Sequence, residues 1–328
     1  MSVFSLLRAE WQAVFNKTIH VIKVKMKYWS YAITVVIAAA FVACGPSTKD
    51  IKEKNKEIQI KDSLALKVAT TPTLDCLPVF IAKEKGIFDT LQVDVSVKEM
   101  NAALDCEEML RKNEVELAFS DLMRTERLKR NGIAMEYITA TNAYWQFILN
   151  HKARLTDGKQ LGDKMIAMAR YSATDYLATL GIDSMKPSNS VFRVQVNDVI
   201  VRLMMLLNNE MDAVMLPEPQ ATTARLDKHP VVMDSRDKGI WLGVVAARPS
   251  RIADNFRQQQ VRRFVEAYNS ACDSISHFGL QHYAGIIKAY CHVDDATVKA
   301  LPKISFPHVA APRQRDIDRT HNVTWRTN

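Results

Sequence analysis

Apolar and polar positions alternate in short blocks along this chain, and the period of the alternation switches repeatedly between two and about 3.6. "LALKVATT" (64–71) is a compact apolar run of strand length. "TLDCLPVFIAKEKGIF" (73–88) then carries helical spacing, with Pro78 near its start and Gly86 as its stop. "LQVDVSVKEM" (91–100) alternates strictly and predicts a strand. "ALDCEEMLRKN" (103–113) predicts a helix, with Asp105 and Glu108 spaced as a capping box. "VELAFSD" (115–121) and "MEYITATN" (135–142) predict strands on either side of a short helix. The second half repeats this grammar in "KMIAMARYSATDYLATLGI" (164–182) and "VFRVQVNDVIVRLMMLLNNEMDAVMLPEPQ" (191–220). Strands alternating with helices imply an α/β fold with parallel-rich sheets. The methionine-rich run "VIVRLMMLLNN" reads as a core helix.

Near the N-terminus the pattern breaks. "ITVVIAAAFVACGPSTK" (33–49) is apolar and then stops at one cysteine. Only 14 residues separate Tyr31 from Cys44 inclusive, whereas a membrane span needs ~20. Lys23, Lys25 and Lys27 precede the run, which gives a basic flank, a short apolar stretch and a small residue before cysteine. That is the layout of a secretory signal, the alternative being a single N-terminal anchor helix that is never cut. "FVAC" resembles the bacterial lipobox, with Phe41 in place of a leucine-like residue; the resemblance implies a lipid on Cys44 as first residue of the mature chain. The expected signal is 1–43, with Met26 an alternative start and 1–25 an over-extended leader. Residues 44–64 form the lipidated cysteine and a tether. The body then lies outside the cytoplasm, in the periplasm, and which membrane holds the anchor stays open.

The formal net charge is +8. Half of it belongs to the first 43 residues, and the remainder is interspersed. "KDIKEKNKEIQIKD" (49–62) mixes both signs, as a solvated tether does. Nucleic acid is not an expected partner. Beyond Cys44 four cysteines remain, and an oxidising compartment permits Cys76–Cys106 and Cys272–Cys291 bridges, or four buried thiols. The eight histidines are scattered and no CxxC occurs, so neither a metal nor a cofactor is expected.

"LPVFIAKEKGIFDTLQVDVSV" resembles the opening of periplasmic solute-binding proteins of the nitrate, sulfonate and taurine transport type, an opening that thiamine-precursor binding proteins share. "NEVELAFSDL" and "LLNNEMDAVMLPEPQATTA" are similar to the group's later segments, in the same order. Asn209 stands where glycine is usual, and Pro217 where tryptophan is frequent. The resemblance covers roughly residues 66–312. It implies a two-lobed α/β fold of the type II periplasmic binding protein class, hinge strands between the lobes, and a solute held in the cleft. The expected partition is 65–148 for the first part of lobe 1, 149–240 for lobe 2, and 241–328 for the return to lobe 1 and the C-terminal helices.

In open α/β sheets, ligands sit beyond the carboxyl ends of strands, where helix N-termini present free N–H groups. The strand ends nominate Asp75, Ser120, Asp121, Asn142 and Tyr144 in the first lobe. In the second they nominate Arg170, Tyr171, Ser172, Thr174, Asn197 and Glu218. In "ARYSATDYL" Ser172 and Asp175 are spaced as a capping box, and Arg170 with a helix N-terminus suits an anionic group. Ser172 also reads as a cap alone, Glu218 as a structural carboxylate or a partner for a ligand amine. Tyr144 and Trp145 are expected to face opposite ways.

The sequence reading is therefore a monomeric, lipid-anchored solute-binding protein of an ABC importer. Its partners are a permease and a small, anionic organic solute. No catalytic residue is nominated. The alternatives are an enzyme of thiamine-precursor or menaquinone type on the same fold, or a sensor lipoprotein.

Overall fold

The computed structural model describes residues 64–321, 323 and 325. The expected signal, Cys44 and the tether up to Ser63 lie outside the described residues. Ten strands form two sheets. They are β1 (Leu66–Thr70), β2 (Val95–Glu99), β3 (Leu117–Asp121), β4 (Glu136–Ala140) and β5 (Trp145–Leu149), followed by β6 (Met165–Met168), β7 (Phe192–Gln195), β8 (Ala213–Pro217), β9 (Val231–Asp234) and β10 (Gly243–Ala247). The helices of the first half are α1 (Leu77–Glu84), α2 (Ile87–Thr90), α3 (Ala103–Arg111), α4 (Leu122–Arg130) and α5 (Ala173–Met185). Those that follow are α6 (Val199–Leu207), α7 (Gln220–Leu226), α8 (Asn255–Phe278), α9 (Ala284–Cys291), α10 (Asp295–Ala300) and α11 (Gln314–His321). Among the described residues no helix is long and apolar enough to cross a membrane.

Each lobe is built on one five-stranded sheet, ordered β2-β1-β3-β10-β4 in the first and β7-β6-β8-β5-β9 in the second. Both follow one plan. Three parallel strands from βα units lie side by side, and an antiparallel strand then enters from the other lobe. The chain crosses between Ala140 and Trp145 to deliver β5, and crosses back between Asp234 and Gly243 to deliver β10. These crossings touch. Thr141 N–H donates to Gly243 O at 2.8 Å, and a Cβ on Gly243 would lie 2.2 Å from Thr141 Oγ1. Glycine is what lets the two hinge segments approach so closely.

The helix signals hold in part. α1 has proline in its first turn and ends at Gly86, whose φ is +65°. α5 starts where "YSATD" places it, with Ser172 Oγ accepting from Thr174 N. Asp175, however, turns back to accept from Tyr171 N at 2.9 Å, one residue earlier than a capping box requires. The Asp105–Glu108 box does not form either: α3 is entered from Ala102, with Asp105 already inside its first turn.

Strand alternation decides the packing. Val68, Phe119 and Val245 face α1 and α8 on one side of the first sheet, while Ala69, Ala118 and Ala246 face α3 and α4 on the other. This division corrects the first of the disulfide expectations. Cys76 packs in the former cluster and Cys106 in the latter, so the sheet itself lies between them. Cys272 and Cys291 share Cys76's side of the sheet, but all four are free, buried thiols and no bridge forms in either pair.

Candidate functional site

The carboxyl ends of the parallel strands in both lobes meet across a cavity. From the first lobe come Asp75, after β1, then Ser120 and Asp121 at the end of β3, and Arg124 in the first turn of α4. From the second come Ser172 and Thr174 at the start of α5, Asn197 after β7, and Arg202 on α6. Trp145 and Phe119 supply flat apolar wall.

Six of the residues nominated from sequence thus line the cavity: Asp75, Ser120, Asp121, Ser172, Thr174 and Asn197. The other five do not. Asn142 is spent on Ser305 O at 2.8 Å. Tyr144 donates to Glu218 Oε1 at 2.9 Å, while its neighbour Trp145 reaches the cavity from the opposite face of the strand. Glu218 is buried and satisfied by Tyr144, Arg225 and both the N–H and hydroxyl of Thr222. It is a structural carboxylate where the lobes join. Arg170 is absent from the lining, and Tyr171 packs between the Arg127 guanidinium and the Trp325 ring.

The N-terminus of α5, expected to receive a ligand's anionic group, faces a carboxylate of the protein itself. Asp121 caps α4 by accepting from Arg124 N at 3.0 Å, and the backbone N–H of Ala173 lies beside it from the other lobe. Burial still pushes its carboxyl up, against the pull of Arg124. Burial raises Asp75 as well, although the hydroxyls of Thr73 (2.6 Å) and Thr141 (3.1 Å) both donate to it.

Two arginines missed in the sequence dominate the site's electrostatics. Arg124 is 1% exposed and pairs with Glu107 at 3.0 Å and Asp121 at 3.5 Å. Arg202, 5% exposed, donates to the Val196 carbonyl at 3.2 Å and has no ion-pair partner among the described residues. Burial, and then the nearby Arg124, pull Arg202 down to about 10. Its Nε and the Ser120 hydroxyl are both buried without a hydrogen-bond partner. A buried cation is costly. Asp198, the cap of the same helix, offsets part of this, but no carboxylate touches the guanidinium, and an anion brought into contact with it lowers the remaining cost. Arg202 went unread because its helix is otherwise an apolar core segment. Arg124 sits in "MRTERLKR", a basic helix with nothing in its pattern to mark one arginine as internal.

Known proteins match this description. The NMT1/THI5 like family profile matches residues 73–277. Comparison with curated protein sequences gives no significant match. The fold is similar to the alkanesulfonate-binding protein SsuA from Xanthomonas axonopodis pv. citri bound to MOPS, at a TM-score of 0.63 and 14% identity, over 78% of this chain and 89% of that one. It is similar to the periplasmic aliphatic sulphonate binding protein SsuA from Escherichia coli, at 0.62 and 12%, over 78% and 86%. It is also similar to the periplasmic nitrate-binding protein NrtA from Synechocystis PCC 6803, at 0.60 and 15%, over 74% and 71%. The chain belongs to the NMT1/THI5-like family, and its two-lobed fold is that of the periplasmic solute-binding proteins.

Proposed function

We propose that this protein is the solute-binding component of an ABC importer, that it takes a small anionic organic solute between its lobes, and that a lipid on Cys44 holds it at the membrane outside the cytoplasm. Arg202 carries the reading of charge: it is a buried guanidinium on the cavity wall without a carboxylate in contact. Asn197 and the unpartnered Ser120 hydroxyl offer neutral hydrogen-bonding groups around it, and Trp145 offers a face for the solute's apolar part. Ser172 and Thr174 line the wall with their hydroxyls tied to Ala169 and to each other. Asp75 and Asp121 complete the first-lobe side, Asp75 as a donor when protonated. Binding is non-covalent, the hinge segments at 141–144 and 235–242 bend as the lobes close, and the closed monomer is what the permease meets.

Thermal unfolding of the full chain, screened against small sulfonates, carboxylates, nitrate, neutral pyrimidines and amines, tests the solute class. An anion should raise the midpoint in a concentration-dependent way, by mass action. Stabilisation by an amine or a neutral ring alone refutes the anionic reading. Fatty-acid labelling tests the anchor: Cys44→Ser should lose the label, and equal labelling of variant and parent would sink the lipoprotein.

A further inference from the structure

Away from the cleft, folding gathers two of the scattered histidines. His151 follows β5 by two residues, and Asp227 and His229 lie on the turn from α7 to β9. Nδ1 of His151 is 3.4 Å from Nδ1 of His229, with the rings edge to face. Nε2 of His229 is 3.2 Å from Oδ2 of Asp227. One nitrogen or oxygen donor from each of the three residues lies within 4.8 Å of the other two. His229 is 2% exposed, and its buried Nε2 has the Asp227 carboxylate as its neighbour but no well-aligned hydrogen bond.

We propose that His151, Asp227 and His229 bind a divalent transition-metal ion of the zinc type. Two imidazoles and a carboxylate are a donor set that suits Zn²⁺, Ni²⁺ or Co²⁺ better than the oxygen-seeking Ca²⁺ or Mg²⁺. At tetrahedral zinc, with metal–nitrogen bonds of about 2.0–2.1 Å, neighbouring donors stand about 3.3 Å apart. The Nδ1–Nδ1 pair of the histidines and the Nε2–Oδ2 pair of His229 and Asp227 are each of that size. An ion takes only one nitrogen of the His229 ring, however, so the third donor, within 4.8 Å, closes in by side-chain rotation. His229 is fixed by burial, while His151 and Asp227 are more exposed and can rotate to complete the set. The backbone N–H of His151 donates to His229 Nδ1 at 3.3 Å, a bond that an ion at that nitrogen displaces. The exposed side of Asp227 leaves a fourth position for water. One group competes: Lys152 Nζ lies 3.0 Å from Asp227 Oδ2, and it also donates to Leu207 O at 2.8 Å, which holds it when the carboxylate turns to a metal.

Trp145 lines the cavity and His151 lies six residues further along the chain, roughly 20 Å at strand rise. The ion is therefore not the cleft's solute. It ties the outer end of β5 to the α7–β9 turn, and so braces the strand whose other end is a hinge.

The test uses the full chain stripped with a chelator and titrated calorimetrically with Zn²⁺ alone, then with Ni²⁺. Saturable binding of a single equivalent is expected, with a rise in the thermal midpoint that chelator reverses. His151→Asn and Asp227→Asn, both at turn positions, should abolish it while circular dichroism stays that of the parent. Lys152→Met should tighten binding several-fold by removing the competing cation. Absence of saturable binding in the parent overturns the proposal. So does retention in both variants, which would assign the zinc to other histidines such as His277 and His282.

Discussion

The two walls of the cavity are built alike and charged differently. Lobe 1 presents Arg124 together with Asp75 and Asp121, and Glu107 backs the arginine from behind. Lobe 2 presents Arg202 among hydroxyls, an amide and a tryptophan, with no carboxyl group lining its side. Each arginine stands near the start of a helix that follows a parallel strand, so topology does not separate them. Their surroundings do. Arg124 has two carboxylates in ion-pair contact, although its Nε, like that of Arg202, lacks a hydrogen bond. Arg202 has no carboxylate in contact and feels only that of Asp198, at the cap of its own helix. The first is a condition of folding, and the second is an invitation to a ligand.

The largest expected effect breaks this contrast on the folding side. Arg124→Met leaves Glu107 and Asp121 buried beside an apolar chain, and removing one partner of such a pair costs about 3–5 kcal/mol. Chemical denaturation of the ligand-free protein should show that loss; a variant as stable as the parent would make Arg124 as dispensable to the fold as Arg202. Arg202→Met should do the reverse. The ligand-free protein keeps its stability or gains, while affinity for the anionic solute falls by about 1.5–3 kcal/mol, the worth of a charge-assisted hydrogen bond. Calorimetry with the stabilising anion from the thermal screen decides it, and undiminished affinity removes the argument for an anion.

Asp75 sharpens the comparison through pH. Its folded pKa is raised by burial, so its contribution to stability is complete below the ordinary carboxylate range and is lost as pH rises through the folded value. Asp75→Asn mimics the protonated form. Its melting temperature should match the parent's in acid and exceed it increasingly toward neutral pH, and a parallel pair of curves would contradict that. The smallest effect belongs to Arg170, which does not line the cavity. Arg170→Ala should change solute affinity less than about threefold, under 1 kcal/mol; a tenfold loss in the same calorimetric titration would return the anion to the α5 terminus.

The βα units were legible, because in "LALKVATT", "LQVDVSV" and "VELAFSD" the strand pattern is followed directly by helical spacing. β5, β9 and β10 were not read from periodicity. "WQFIL" and "GVVAA" are short runs without strict alternation, and their role as strands that enter the neighbouring lobe depends on partners far away in sequence. The resemblance supplied hinge strands, but their position came only with the structure. Strand ends located the cavity, and six of eleven nominated residues reach it. Three of the other five are held away from it for one reason. Whether Asn142, Tyr144 or Glu218 is free for a ligand depends on Ser305, Thr222 and Arg225, and no local pattern announces such a partner. Arg202 shows the converse, one polar residue in an apolar helix whose meaning is fixed by the cavity it faces.

The free cysteines have a consequence for measuring motion. All four lie in lobe 1, three on one side of its sheet and one on the other, and lobe 2 has none among the described residues. Burial pushes every one of these thiols up, Cys272 to about 12, so the thiolate that alkylating reagents attack is scarce while the lobe stays shut. With Cys44 lipidated or replaced by serine, reagent consumption is then a clock that ticks when lobe 1 opens, and lobe 2 runs silently beside it. Cys106 and the other three time the opening of the two faces separately, a two-channel record that needs no introduced label.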